Sequence, residues 1–542
     1  MAIYNQFDKR SGITYVYESK YIWVPELKQS RKTSKLLGRL DEKTGKVVAT
    51  DGRCRKKSAT ASTHAVGAVS CDAGLDKGNG KTVRKFYGAT YLLDAIGEKL
   101  GITADIKRCF PDNWQKILSI AYYLVLEDST VLYRFERWGM LHKHPFGNNI
   151  TSQRSSELFA SITEGQKNEF FCLQGKRRIE KEYWAYDTTT FSSYSETLAQ
   201  VQYGKNKEDD KLPQINLALL FGEESGLPFY YRKLAGNIPD VKTVMHLLEE
   251  LDVFGFSKIK LVMDRGFYSV ANINGLFRSK LKFLVATKTS TVFVRKAIES
   301  VYDNMRSHSN YIPNFELFGI TVPLDWQYSQ GNQNKIIKKM RTSRIYLQVF
   351  YNIDKAADDE KNIHAKLGEL KEEIERGKRN TDNEKKYKKF FDVKVTAKGI
   401  KAIPKDDAIN EELKLSGFFV LVTNELMNPE TALMIYRAKD VVEKAFGNIK
   451  ERLNMRRLLV SSEESLEGKL FLAFVALIYL SYINKQMHDE ELYKNYTLNL
   501  LLDKLDVIEC FERPGKNLEV GEILEKQVEI YKKLGIEPPT SS

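Results

Sequence analysis

Three acidic side chains stand where they could hold a metal ion. Asp187 and Asp264 each end a strand-like stretch, WAYDTTTF and KLVMDRGFYS, and Glu443 lies in the helical pattern YRAKDVVEKAF. Carboxylates at strand ends can converge above one sheet edge, and a helix crossing that edge can add a third. Hard oxygen ligands suit Mg²⁺ or Mn²⁺, and two such ions assist phosphodiester cleavage. Taken alone, a strand-end aspartate is more often a turn former.

The helix around Glu443 has a polar stripe beside an apolar face. With about 100° per residue, four polar residues fall within an arc of about 60°: Tyr436, Lys439, Glu443 and Lys450. The adjoining face is apolar and consists of Ile435, Val442, Ala445, Phe446, Ile449 and Leu453. A solvated stripe with a Lys439–Glu443 pair is the simpler interpretation. A solvated stripe has no need of tyrosine at its head, however, and cations beside a metal-binding carboxylate would suit a DNA phosphate.

The same four residues resemble the signature of a known family. Their spacing, Tyr436-x-x-Lys439-x-x-x-Glu443-x-x-x-x-x-x-Lys450, is similar to the Tyr-Arg-Glu-Lys pattern of cut-and-paste insertion-sequence DDE transposases. Lys439 departs from this pattern, because the family usually has arginine there. A lysine binds a phosphate as a point charge and lacks the bidentate fork of arginine.

Three further motifs look like those of the family. They are YDTT around Asp187, DRGFYS around Asp264, and GFFVLVTN (417–424) before the signature helix. The resemblance covers residues 180–485, including an insertion between the second and third acidic residues. It implies an α/β fold with an RNase H-like core, in which helices flank a mixed sheet.

The resemblance also implies a function, which is DNA transposition. Such an enzyme cuts transposon ends and joins them to target DNA by hydrolysis and then transesterification. The three acidic residues would be catalytic and would bind two divalent ions, Mg²⁺ or Mn²⁺, while Tyr436, Lys439 and Lys450 would bind phosphates near the cleavage site. The implied partners are double-stranded DNA, as terminal inverted repeats and as target, and a second copy of the chain in a synaptic complex.

Two more residues are candidates for DNA contact. Trp326, in PLDWQY, is the only candidate within the insertion for an aromatic that stacks on a flipped base, although core packing is the commoner role of such a tryptophan. Arg265 either contacts a phosphate or pairs with a local carboxylate.

The order of predicted elements in residues 182–290 supports the same fold. EYWAYDTTTF, INLALLFG and LPFYYRKLAG predict three strands, and the following segments predict helix, strand, helix and strand. This is the order of an RNase H-like domain. The strand GFFVLVTN and a long helix from about Pro429 then resume the fold after the insertion.

Five regions follow from these patterns. They are a basic β-rich region (1–90), a helical candidate DNA-binding domain (91–178), a catalytic domain in two pieces (179–290 and 411–485), an insertion (291–410) and a helical tail (486–542). Within the first region, residues 54–83 are small and Gly-rich and predict a loop. The second region could be a helix-turn-helix type of DNA reader or a plain helical scaffold.

Positive charge is concentrated near the start of the chain. Residues 1–110 contain 21 Lys and Arg against 11 Asp and Glu, which is +10 of the net +13. The runs KQSRKTSK and GRCRKK contribute to it. Such a module fits docking to nucleic acid, and a solvated, lysine-rich loop surface explains the charge equally well.

Cysteine spacing and hydropathy favour a cytoplasmic location. The five cysteines form no C-x-x-C pair and no Cys/His cluster with zinc spacing. The N-terminal residues have no signal-peptide pattern, and the most apolar stretch, Leu470–Ile483, is short of a bilayer span. We therefore expect a buried helix there and no membrane partner. The resemblance to insertion-sequence transposases implies a prokaryotic, nucleoid-associated protein.

Two other functions are compatible with the same residues. One is an RNase H-like DNA nuclease without strand transfer. The other is a non-catalytic or domesticated DNA-binding protein, against which the three acidic residues and the full signature argue.

Overall fold

The chain is known from a computed structural model. It describes residues 2–8, 13–24, 29–40, 47–48, 82–127, 131–177, 182–195, 197–205, 207, 211–256, 259–330, 339–396, 399–453, 457–458, 460 and 462–540. Two compact units are present, Met1–Asn79 and Gly80–Ser542.

The first unit contains one antiparallel sheet. Its strands, in spatial as well as chain order, are β1 (Ala2–Asp8), β2 (Ile13–Val24), β3 (Gln29–Leu40) and β4 (Val47–Val48). The predicted strand or hairpin at 13–25 corresponds to β2. Most of the basic run KQSRKTSK lies in β3 instead of a loop, because β3 pairs along its length with β2. The run GRCRKK and most of the predicted loop at 54–83 lie outside the described residues.

The described strands of the second unit include those predicted within residues 182–290 and at 417–424. They are β5 (Val83–Phe86), β6 (Trp184–Ser193), β7 (Gln214–Gly222), β8 (Pro228–Ala235), β9 (Lys260–Met263), β10 (Lys282–Thr287), β11 (Tyr311–Ile312), β12 (Leu317–Gln330), β13 (Lys339–Tyr351), β14 (Phe391–Thr396), β15 (Gly399–Pro404), β16 (Phe418–Thr423), β17 (Arg457–Leu458), β18 (Glu509–Glu512) and β19 (Glu519–Val520).

Helices fill the intervals between these strands. They are α1 (Gly88–Leu100), α2 (Ile102–Cys109), α3 (Trp114–Leu126), α4 (Phe135–Leu141), α5 (Ser152–Ser161), α6 (Glu164–Lys176), α7 (Asp240–Val253), α8 (Val270–Arg278), α9 (Val292–Val301), α10 (Ile353–Glu375), α11 (Glu384–Phe390), α12 (Asp406–Leu413), α13 (Pro429–Ala438), α14 (Asp440–Gly447), α15 (Glu463–Asp489), α16 (Leu498–Asp506) and α17 (Glu525–Lys533).

The main sheet is mixed and matches the predicted RNase H-like core. Its order is β11-β12-β13-β16-β10-β9-β6-β7-β8, and β17 pairs with the far end of β6. The strands β6, β7 and β8 are antiparallel, whereas β9 and β10 run parallel to β6. The predicted fold class, α/β with a mixed sheet flanked by helices, is confirmed.

Burial explains why the strands at the centre of the sheet are so apolar. Every residue of β6 and β7 is buried, as expected when helices cover both faces of a sheet. The middle of β6 differs from this apolar pattern, because Thr188, Thr189 and Thr190 are polar yet at most 3% exposed. Buried polar groups need hydrogen-bond partners, and this cluster lies beside the candidate site.

Residues 291–410, predicted as an insertion, contribute to two structures. The strands β12 and β13 form a long hairpin that extends the main sheet, since β13 pairs with β16. The helices α10, α11 and α12 and the hairpin β14–β15 enclose a small apolar cluster of their own. The charged stretch that begins near Asp354 is helical, as its pattern predicts.

The helical region 91–178 packs around α15, a long helix that is mostly buried. Residues of α1, α3, α5 and α6 belong to the same buried cluster as those of α15. Within this region, the stretch SSELFASITEGQKNEFF forms two helices, α5 and α6. The break occurs because Thr163 and Gln166 make a capping box that starts a new helix.

The C-terminal tail, predicted as helical, also contains two short strands. The strand β18 pairs antiparallel with both β19 and β5. The pairing of β18 with β5 joins positions more than four hundred residues apart in the sequence, so no local pattern predicts it.

One helix in the described part of the chain, α15, has the length and composition to cross a membrane. Its most apolar window is 89% buried inside the protein. The predicted buried helix at Leu470–Ile483 lies within it, and its place in the main core explains its composition.

Candidate active site

The pairing of β6 with β9 brings Asp187 and Asp264 side by side. The parallel register ends at Tyr186 opposite Met263, and the two aspartates are the next residue of each strand. Asp264 follows β9, as predicted. Asp187 does not end its strand, because β6 continues to Ser193 along β7. It instead lies where β6 and β9 stop pairing, and this point opens the edge on which both carboxylates meet.

The side chain of Asp264 is not used as a cap. Asp264 precedes the 3₁₀ turn Arg265–Phe267, but only its backbone carbonyl accepts from Phe267, at 3.0 Å. The turn-forming role expected for an isolated aspartate therefore leaves the carboxylate available for other partners.

The predicted long helix from Pro429 is interrupted twice. Lys439, with ψ −12°, separates α13 from α14, and a π-helical turn, Asn448–Arg452, follows α14. The segment from Pro429 to Arg452 therefore does not turn evenly by 100° per residue, as the predicted helix would. The apolar face still packs as predicted, because Val442, Ala445, Phe446, Ile449 and Leu453 are buried in the main core and Ile435 packs against a second cluster.

The three acidic residues converge. Asp187, Asp264 and Glu443 each offer one carboxylate oxygen, and these oxygens lie within 4.8 Å of one another. Ligands of one Mg²⁺ lie about 3 to 4.2 Å apart, because each is about 2.1 Å from the ion. Small side-chain rotations would bring the three oxygens to this spacing. The donors are all hard oxygens, so the residues present fit a divalent cation.

Lys439 and Tyr436 hold Asp264 in place. The Asp264 Oδ1 atom accepts a hydrogen bond from the Tyr436 hydroxyl at 2.7 Å, and the Lys439 Nζ atom lies 3.1 Å from it. Lys439 Nζ is also 3.4 Å from Glu443 Oε1. Since Lys439 is only 4% exposed, its ammonium serves these carboxylates here. Lys439 and Tyr436, which were predicted to bind phosphates, contact these acidic residues in the structure, and their contacts with DNA stay a prediction.

These contacts change the proton affinities of both groups. Burial and the neighbouring Asp264 carboxylate raise the pKa of Tyr436 well above its ordinary value, which keeps the phenol a hydrogen-bond donor. Burial lowers the pKa of Lys439, but Asp264, Asp187 and Glu443 outweigh it and the net shift is upward. Lys439 is therefore charged at neutral pH and compensates the acidic cluster.

Asp187 is the most buried of the three acidic residues, at 8% exposure. Its Oδ1 atom accepts from the Thr188 N–H at 2.7 Å. Burial raises the pKa of Asp187 to about 6, although the Lys207 ammonium, 4.0 Å away, and the Thr188 N–H oppose this shift. A carboxylate this deep is costly to ionise without a nearby cation.

Two residues of the site carry no sequence signal that would identify them. Lys207 Nζ donates to the Thr188 carbonyl at 2.5 Å and to its hydroxyl at 3.0 Å, and it lies 3.5 Å from Asp240 Oδ2. Asp240 Oδ1 accepts from the Thr188 hydroxyl at 2.6 Å. Lys207 lies in a polar stretch and Asp240 starts α7, so each resembles an ordinary loop or helix-start residue. Only the folding of both against β6 brings them to Asp187.

Lys450 lies on the same cleft as the acidic residues. This cleft has a volume of about 470 Å³, and its walls include Asp187, Asp264, Glu443, Lys207 and Lys450. The π-helical turn that contains Lys450 belongs to a class of distortion that is frequent at functional sites. Of the polar stripe predicted from the sequence, Glu443 and Lys450 line this cleft. Tyr436 lines a neighbouring cleft instead.

Arg265 lies on an adjoining cleft of about 690 Å³ that also includes Asp264 and Tyr436. The side chain is exposed, and within the described part of the chain no carboxylate pairs with it. Of the two roles considered for Arg265, pairing with a local carboxylate is therefore not seen.

The structure places Trp326 away from both clefts. The side chain is 9% exposed, its indole N–H donates to Asn274 Oδ1 at 2.8 Å, and its ring packs edge-on against Phe293. The base-stacking role considered for Trp326 requires an exposed ring, which this packing does not provide.

The fold and the site together define a class of protein. It has an RNase H-like core with three converging carboxylates at the edge where β6 and β9 separate. The chain belongs to the family described as transposase DDE domain, whose model matches residues 185–479. This range begins two residues before Asp187 and includes Asp264 and Glu443.

Among solved structures, the chain is similar to one described as the cryo-EM structure of the piggyBac transposase synaptic complex with hairpin DNA. The alignment covers 76% of this chain and 70% of that chain, with 11% identity and a TM-score of 0.32. No curated protein sequence matches the chain. Family membership rests on the domain match.

Proposed function

We propose that the protein is a metal-dependent DNA transposase that cuts transposon ends and joins them to target DNA. The observation that carries the proposal is the convergence of Asp187, Asp264 and Glu443 within 4.8 Å in a member of the transposase DDE family. Two divalent cations, Mg²⁺ or Mn²⁺, would be held there. When bound, they would activate the attacking oxygen and stabilise the leaving oxygen of the phosphodiester.

The three carboxylates have different tasks in this proposal. Asp187, buried and oriented by the Thr188 N–H, is the fixed inner ligand. Asp264 is oriented by Tyr436 and Lys439. Glu443, whose side chain is 63% exposed, lies on the solvent side and can adjust as DNA enters.

Lys439 acts as a positioning residue for these ligands. Its ammonium compensates the negative charges of Asp264 and Glu443 at close range, so the acidic cluster is held together before DNA binds. Tyr436 adds a neutral donor to the same Asp264 oxygen. Hydrogen-bonding partners of this kind fix the orientation of metal ligands.

DNA would run across both clefts. Lys450 lies on the cleft that contains all three acidic residues, and Arg265 lies on the adjoining one, with Asp264 on the boundary. Cations on both sides of the ligands would hold the phosphates next to the scissile bond. The substrate in this proposal is double-stranded DNA with terminal inverted repeats, and two copies of the chain would join the two ends in one complex.

Asp264→Asn tests the assignment of the site. The variant keeps an oxygen acceptor for Tyr436 and loses the charge that binds a cation. Mutation of a residue that only hydrogen-bonds to a metal ligand lowers metal affinity or activity by about 10- to 100-fold. Asp264 is itself a proposed ligand, so we expect Mn²⁺-dependent cleavage of the element's own end to fall by more than about 100-fold. DNA affinity should stay within about threefold, because Asp264 is not a phosphate contact.

The matched control is Asp252→Asn, an exposed aspartate near the end of α7, which should cleave like the wild type. Undiminished cutting by Asp264→Asn would contradict the assignment. Products in which the cut end is joined to target DNA separate a transposase from a nuclease on the same fold.

A further inference from the structure

Charge is segregated within the segment 353–405. The helix α10 has four lysines against eight acidic residues, a net −4. Among the described residues from Arg376 to Lys405, ten lysines and arginines face three acidic residues, a net +7. The basic part consists of the residues between α10 and α11, the helix α11 and the hairpin β14–β15.

The hairpin β14–β15 presents two lysines side by side. Lys394 is the direct cross-strand partner of Lys401, so both ammonium groups project from the same face. Both residues are exposed, and neither lies within 4.0 Å of a carboxylate oxygen anywhere in the described ranges. Like charges directly opposite each other destabilise a strand pair, so the arrangement does not serve the stability of the hairpin.

The other face of the hairpin is anchored. Phe391 and Ala402 are buried with Tyr387, Leu370 and Ile374 in the small apolar cluster. The Ala402 N–H donates to Glu375 of α10 at 3.3 Å, and Lys405 pairs with Asp392 at 3.1 Å. The base of the hairpin is thus fixed, whereas Val395 near its other end is 83% exposed.

We propose that this hairpin, the basic ribbon β14–β15, docks in a groove of duplex DNA. Lys394 and Lys401 would contact the phosphates with the face of the ribbon opposite the anchored one. The inference rests on the proposed function for the identity of the polyanion, since a transposase must bind duplex DNA at its ends and at its target.

Charge and shape both select duplex DNA as the partner. A two-stranded ribbon fits the major groove of B-DNA, and two adjacent ammonium groups on its exposed face attract the phosphates beside the groove. The lysines of α11 that precede the ribbon, Lys385, Lys386 and Lys388, are also exposed. They would extend the basic surface along the phosphate backbone.

The salt dependence of affinity tests the proposal. Each lysine–phosphate contact contributes about 0.9 to the slope of log K against log salt. The full-length variant Lys394→Gln/Lys401→Gln should therefore bind a random-sequence duplex with a slope smaller by about 1.8. Between 50 and 200 mM salt, the wild type should lose roughly 12-fold more affinity than this variant.

The control removes two charges from the same region without touching the ribbon. Lys361→Gln/Lys371→Gln alters two exposed lysines of α10, and we expect the wild-type slope. Equal slopes for wild type, ribbon variant and control would overturn the proposal, as would an equal reduction in both variants. Melting temperatures of all variants should match the wild type, because every altered side chain is exposed.

The proposed function is checked separately in the same samples. Wild-type protein that cleaves its own end, together with a ribbon variant of unchanged slope, overturns the ribbon alone. Wild-type protein that binds no duplex DNA at all overturns both. A reduced slope combined with metal-dependent cleavage by wild type supports both.

Discussion

Replacing Lys439 by methionine should destabilise the protein when no divalent cation is bound. Methionine preserves most of the buried stem and removes the ammonium that lies 3.1 Å from Asp264 and 3.4 Å from Glu443. Three carboxylates within 4.8 Å of one another then repel one another, and the Lys207 ammonium, 4.0 Å from Asp187, compensates them only in part. The cost of an uncompensated buried charge cluster appears as a lower free energy of unfolding.

The size of this loss follows from distance and exposure. Two unit charges 4 Å apart interact by about 4 kcal/mol at an effective dielectric constant of about 20. Asp264 and Glu443 are 37% and 63% exposed at their side chains, so solvent screens both interactions and we expect about 2 kcal/mol. Unfolding entropy for a unit of about 460 residues is about 1 kcal/mol/K, so the melting temperature should fall by about 2 °C.

Thermal unfolding with EDTA and with Mg²⁺ isolates the charge effect. A cation binds the uncompensated cluster of Lys439→Met more tightly than the wild-type site. If the ion binds the variant tenfold more tightly, saturating Mg²⁺ returns about 1.3 kcal/mol of the loss. The gap between variant and wild type should therefore narrow by about 1 °C when Mg²⁺ replaces EDTA.

Two results would refute this reasoning. An equal gap in EDTA and in Mg²⁺ would mean that Lys439 stabilises the site by packing and not by its charge. A Lys439→Arg variant with the same loss as Lys439→Met would do the same, because arginine keeps the positive charge.

Other predictions concern the core. Glu467→Gln should lower the melting temperature by about 3 °C, because the buried ammonium groups of Lys167 and Lys233 lie 2.5 and 2.9 Å from this carboxylate. Burial would raise the pKa of Glu467, but these lysines outweigh it and hold the pKa below the ordinary 4.5. The stabilisation by the Glu467 carboxylate is therefore present above pH 4.5 and is lost as pH falls through the lowered pKa. The difference in melting temperature between wild type and variant should shrink in acid, and a constant difference would contradict the assignment. Gly468→Ala should cost about 2 kcal/mol in a thermal melt, because its Cβ would lie 2.3 Å from a backbone carbonyl oxygen of α5, whereas Gly368→Ala, with open space around it, should gain about 0.5 to 1 kcal/mol. Equal behaviour of the two glycine variants would count against the close packing of α15 on α5.

The order of strands and helices in the core was predictable because it depends on the local periodicity of apolar residues. The predicted strands near Asp187, Asp264 and 417–424 correspond to β6, β9 and β16. The prediction that Asp187 ends its strand was wrong, because strand length there depends on pairing with β7 and not on the residues that follow. Sequence periodicity records which faces are buried, and it does not record where a neighbouring strand diverges.

The candidate site was predictable as a set of residues but not as a set of contacts. Glu443 and Lys450 of the predicted stripe line one cleft, and Tyr436 lines the adjoining one. Lys439 contacts the Asp264 carboxylate, a contact that the sequence does not predict. Which partner an ammonium reaches depends on distances across the fold. Lys207 was not predictable at all, for the same reason.

The pairing of β5 with β18 has a consequence for how the chain folds during synthesis. Glu509 pairs with Phe86, and translation of the intervening residues, at about 5 to 20 residues per second, takes roughly 20 to 80 s. The apolar faces of α1 and α3, which pack on α15 and α16, have no partner during most of that time. We therefore expect newly made chains to need chaperone protection until the last elements emerge, and we expect chains that stop before α15 to expose a large apolar surface and to aggregate.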